Sequence, residues 1–85
     1  MDKQHPELTK DEIKQMVDKI SNARYDSVAS FINELGAAFV CDASMDYFRK
    51  RPKLARQLDK MGISLIATKI ECDRAWDICK DKMEQ

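Results

Sequence analysis

Turn-forming residues are scarce, with two glycines and two prolines in 85 residues. A sandwich or barrel of many short strands needs a turn signal about every 8–12 residues, so that architecture is excluded and an all-α domain is the simplest reading. Histidine, the usual general base near neutral pH, occurs once, as His5 in a leading segment with no periodicity. The three cysteines, Cys41, Cys72 and Cys79, are an odd number for a disulfide framework, and no C-x-x-C spacing is present. On a helix Cys72 and Cys79 stand about 10 Å apart, too far to bridge, so buried, unreactive thiols are expected and a metal site is not. No apolar run reaches the roughly 18 residues of a membrane span, and the first ten residues lack the apolar core of a signal peptide. An intracellular, cytoplasmic protein is the expectation. Net charge is absent too, with fifteen residues of each sign, so no global field recruits nucleic acid or membrane.

Apolar residues at helical spacing are what the chain does have. Thr9 and Glu12 match a capping box, and Ile13, Met16, Val17 and Ile20 follow at i, i+3, i+4 and i+7. The first eight residues read as a flexible lead-in and 9–85 as one domain. A second helix, with Asp26 as its N-cap, carries Val28, Phe31, Ile32, Leu35 and Phe39 on one face. Gly36 does not shift that phase, so the helix is expected to continue to about Cys41. Asp42 or Ser44 can cap a short third helix ending near Arg51, and Pro52 suits the first turn of a fourth, with Gly62 as its C-terminal cap.

The last helix, about 64–83 and capped by Ser64, has a stripe of Leu65, Thr68, Cys72, Ala75, Trp76, Cys79 and Met83, with Ile66 and Ile70 on a different side. The expectation is a compact bundle of four to five short helices around this central post, with Trp76 anchoring the core. Ile66, Ile70 and Ile78 are the residues left for a self-association face.

Candidate chemistry is thin. Cys72 and Cys79 lie on the core stripe, the row Asp73, Asp77 and Asp81 is interleaved with Lys69, Arg74 and Lys80, and no phosphate loop, nucleophile elbow or HExxH pattern is present. Neither catalytic activity nor a cofactor is expected. Charge, however, is unevenly placed. Residues 1–46 hold five basic and nine acidic residues, whereas 47–85 hold ten basic and six acidic. The positive excess centres on Tyr47, Arg49, Lys50, Arg51, Lys53 and Arg56, a stretch able to hold an anion, nucleic acid or an acidic partner.

Leu54 to Leu58 followed by Gly62, Ile63 and Ser64 resembles the helix, turn and capped second helix of helix-turn-helix repressors. The spacing departs from theirs, because Gly62 stands seven residues after Ala55 where that motif needs four. The expected function is therefore that of a small regulatory or protein–protein interaction module, partnered by another protein or by its own copy. Nucleic-acid binding through residues 49–56 is the alternative.

Overall fold

A computed structural model of the chain describes residues 5–82. It is all-helical: α1 spans Lys10–Ser21, α2 Tyr25–Phe48 and α3 Pro52–Cys79, with a short 3-10 turn at Lys80–Lys82. The expected four to five helices are therefore three among the described residues. The separate second and third helices are one rod of 24 residues, and the fourth and fifth one rod of 28. Asp42 and Ser44 lie inside α2 rather than capping a new helix, and Gly62 and Ser64 lie inside α3. The absence of a turn at Gly62 also removes the helix-turn-helix resemblance. Met83, the last residue of the expected stripe, lies outside the described residues, as do positions 1–4.

The one sharp reversal between α2 and α3 falls where the sequence places it, before Pro52, which occupies the first turn of α3 and cannot donate into the preceding one. Lys50 takes a left-handed conformation with φ 60°, and the Arg51 N–H donates to the Asp46 carbonyl at 2.8 Å to close the reversal. Asp46 is only 7% exposed, and the Arg51 guanidinium reaches its carboxylate at 3.5 Å. That ion pair supplies the partner a buried carboxylate needs.

α2 and α3 pack side by side as an antiparallel hairpin along a line of small residues. Ala29, Gly36 and Ala43 recur every seventh residue on α2, as Ala55 and Gly62 do on α3, and all five are buried. A seven-residue step brings a position back to nearly the same side of a helix, so each series forms a seam. The backbones touch at Gly36 and Gly62, where a β-carbon on Gly36 would meet the Gly62 carbonyl oxygen at 2.9 Å. The two seams run in opposite directions, so the same register sets Ala43 against Ala55. Side chains flank the contact on both helices: Leu65 and Ile66 lie beside Gly36, and Val40 lies beside Gly62.

Such a seam brings two backbones close but leaves little to bury. The buried apolar side chains are Ala29, Ala43 and Ala55, and no large side chain is fully buried among the described residues. The expected stripe Val28, Phe31, Ile32, Leu35 and Phe39 turns to one side of the seam, with Phe31 exposed and the other four half-buried. Trp76 is half-buried as well, which corrects its assignment as the core anchor. The Arg24 guanidinium covers its ring at 4.9 Å from the centroid and also pairs with Asp26 at 2.6 Å. α2 begins at Tyr25 with Arg24 in the cap position, two residues earlier than an Asp26 cap allows. The thiols depart from expectation too: Cys41 is exposed, and Cys72 and Cys79 are half-buried.

The capping box of α1 forms as the sequence requires. The Glu12 N–H donates to the Thr9 hydroxyl oxygen at 3.0 Å and the Thr9 N–H to a Glu12 carboxylate oxygen at 2.8 Å. Its apolar stripe, however, stays open, since Ile13, Met16 and Val17 are all exposed.

Candidate functional site

Two grooves lie on the same face of the hairpin. At the open end, α1 presents Met16, Val17 and Ile20 across a space of about 660 Å³ to Val28 and Phe31 of α2 and Cys72 and Ala75 of α3, with Ser21, Tyr25 and Glu71 completing the wall. Nearer the turn, a second groove of about 680 Å³ has an apolar floor of Phe39, Met45, Leu54, Leu58 and Met61 and a charged edge of Asp42, Asp46, Arg49 and Arg51, with His5 beside it. The chain from His5 to Ser21 therefore runs along one face of the hairpin from the turn half to the open end. The groove floors come from the side of the seam to which the α2 stripe turns, and Leu54, Leu58, Met61 and Cys72 bring the matching side of α3.

The opposite face carries a different ridge. Ile63, Ile66 and Ile70 follow one another at i, i+3 and i+7 on α3, all exposed, with Ile66 reaching over Gly36. Of the three isoleucines singled out in the sequence, Ile66 and Ile70 share this ridge. Ile78 is rotated from Ile70 by about a quarter turn and is 80% exposed on another side, so the three do not form one patch.

The basic stretch is distributed around the hairpin end rather than gathered on one wall. Arg49 and Arg51 border the groove near the turn, and Arg51 is engaged with Asp46. Lys50 sits at the turn, and Lys53 and Arg56, three apart on the first turns of α3, point about 60° from each other. Tyr47 and Phe48 are exposed beside them, Phe48 at 84%.

The acidic row of α3 is a solvated, salt-bridged face. Lys69 meets Asp73 at 2.7 Å, Arg74 meets Glu71 at 3.3 Å and Lys80 meets Asp77 at 3.4 Å. Among the described residues no group of three or more His, Cys, Asp and Glu side chains is placed to hold a metal ion. No helix among them is long and apolar enough to cross a membrane. The resolved displacements in proton affinity are at exposed helix starts: Thr9 hydrogen bonds hold the Glu12 carboxyl below its ordinary range, and the Arg24 hydrogen bond does the same for Asp26.

The sequence matches no family model, and no curated protein or solved structure matches the chain.

Proposed function

We propose that this protein is a helical protein–protein interaction or regulatory module, without catalytic activity, that works in the cytoplasm. One observation carries the reading. Fifteen large apolar side chains among the described residues are at least 37% exposed, while the buried apolar side chains are three alanines. Single exposed apolar residues are ordinary, but contiguous exposed apolar surface marks places where another macromolecule docks. Seven of the fifteen, Met16, Val17, Tyr25, Phe31, Met45, Leu54 and Met61, line the two grooves of the α1 face.

The hairpin turn supports the second reading, nucleic-acid binding. Arg49, Lys50, Lys53 and Arg56 are exposed there beside the exposed rings of Tyr47 and Phe48. Cations with aromatic rings available for stacking suit single-stranded nucleic acid. The apolar surface is the larger feature and favours a protein.

A tagged full-length chain captured from nuclease-treated lysate tests the two readings together. Retention of a protein after nuclease, with loss of that protein on Met45→Glu, supports the interaction module. Recovery of nucleic acid alone from the untreated sample, with affinity falling steeply as salt rises, overturns it in favour of the second reading.

A further inference from the structure

The amount of surface says what kind of partner the α1 face needs. A folded monomer of 9.8 kDa exposes about 5,200 Å² by the usual mass scaling, whereas this chain exposes 7056 Å². The excess is about 1,900 Å², and it remains about 900 Å² even when the seven end residues outside the described range are counted as fully extended chain. A standard stable interface takes about 800 Å² from each partner. Dimensions agree. The Cα radius of gyration is 15.6 Å, against about 12 Å for a compact domain of this length, and the Cα extents are 49 × 28 × 15 Å. Only α2 and α3 pack closely on each other, and α1 stands off the hairpin face, so the hairpin lacks the second packed layer that a stable domain has around a shared core.

Resting on the reading of this protein as an interaction module, we infer that its partner at this face is a second copy of the same chain, so that two hairpins bury their groove-bearing faces against each other as a four-helix core, each loosely packed α1 moving from over its groove to the flank. The missing layer is needed for the fold itself, and a copy is present wherever the chain is. Charge suits the pairing as well. α2 carries four acidic residues and no lysine or arginine from Tyr25 to Phe48, while residues 49–79 carry eight basic and four acidic. Setting α2 of each copy against α3 of the other brings −4 beside +1 twice, the rest of the positive excess lying on Arg49, Lys50 and Arg51 of the turn, and a two-fold axis along the bundle produces that arrangement with all neighbouring helices antiparallel. Phe31, Met45, Leu54 and Met61, all exposed in the single chain, become the interior.

Sedimentation equilibrium of the full chain across a hundredfold concentration range, in reducing buffer so that exposed Cys41 cannot cross-link, tests the inference. The expected result is a mass twice 9.8 kDa and a melting temperature that rises with concentration. Met45→Glu and Leu54→Glu alter side chains that are 49% and 45% exposed in one chain, so a monomeric fold tolerates them, and each should weaken the dimer at least tenfold. Ile70→Glu, on the opposite face, should leave it unchanged. A mass of 9.8 kDa throughout, with a cooperative, concentration-independent melt, overturns the inference. So does dissociation by Ile70→Glu with indifference to the other two changes. A monomer that still captures a different protein after nuclease treatment fails this inference while the interaction-module reading stands.

Discussion

The backbone of Gly62 lies so close to that of Gly36 that a β-carbon on Gly62 would stand 2.7 Å from the Gly36 carbonyl oxygen and 2.6 Å from a methyl of Val40. Inside an isolated helix, alanine is preferred to glycine by about 1 kcal/mol. At this contact the obstacle is backbone, which cannot swing aside, and forcing extra volume into a closed contact costs about 1–3 kcal/mol. Gly36→Ala and Gly62→Ala should each therefore lower stability by up to about 2 kcal/mol in urea titration, against the direction of helix propensity. The reverse change at an exposed site of the same helix, Ala37→Gly, should cost about 1 kcal/mol through propensity alone.

Trp76 is the only tryptophan, so its fluorescence reports one place. Because the ring is half-buried under Arg24, Trp76→Ala should cost about 2 kcal/mol, below the roughly 3–5 kcal/mol typical of a fully buried aromatic. Arg24→Ala should shift the emission to longer wavelength and make it easier to quench, because the guanidinium covers the ring.

Acid should loosen the helix starts first. The Glu12 and Asp26 carboxyls have folded-state proton affinities below their unfolded values, so the unfolded chain binds protons more readily. Their stabilisation is complete at neutral pH and is lost as pH falls through the lowered folded values, below the ordinary carboxylate range of about 4. Helical circular dichroism should fall over that range. Glu12→Gln should flatten the part of the change that belongs to α1, and Thr9→Ala should weaken α1 at neutral pH by about 1 kcal/mol.

At the turn, Lys50 holds a φ of 60°, a conformation that costs a side-chain-bearing residue about 1–2 kcal/mol. Lys50→Gly relieves that strain but frees the unfolded chain at a cost of about 0.4–1 kcal/mol, so a net gain of up to about 1 kcal/mol is expected in thermal melts. Lys50→Val, branched at the β-carbon, should lose stability instead. The same pair of variants assayed for nucleic-acid retention separates the lysine's charge from its backbone role.

Helix content, the capping box at Thr9 and Glu12 and the reversal before Pro52 were legible because each depends on a few neighbouring residues. Helix number was not. Gly62, Asp42 and Ser44 look locally like ends, and only the tertiary contact explains why the helices pass through them. A signal for that contact was present in the seven-residue spacing of Ala29, Gly36 and Ala43, repeated in Ala55 and Gly62, but small residues carry little weight in a search for apolar stripes. The stripe on α2 does fall on one face, but that face turns beside the seam with α3 rather than onto it. The grooves could not be found in the sequence, because they depend on how far α1 stands from the hairpin. The cations at the turn were identified as a cluster in sequence, yet reversal of the chain at Lys50 and the rotation of α3 spread them around its end.

The contact at Gly36 and Gly62 also gives the hairpin a fulcrum. Each helix runs unbroken through it, so the arm of α2 from Gly36 to Phe48 is about 18 Å long and the arm of α3 from Gly62 to Cys79 about 25 Å. At that reach, a tilt of one rod by about 5° at the pivot would carry the open end of α3 by roughly 2 Å. Bulk added at either glycine would therefore part the rods along both arms at once, at the groove beside the turn and at the groove beneath α1.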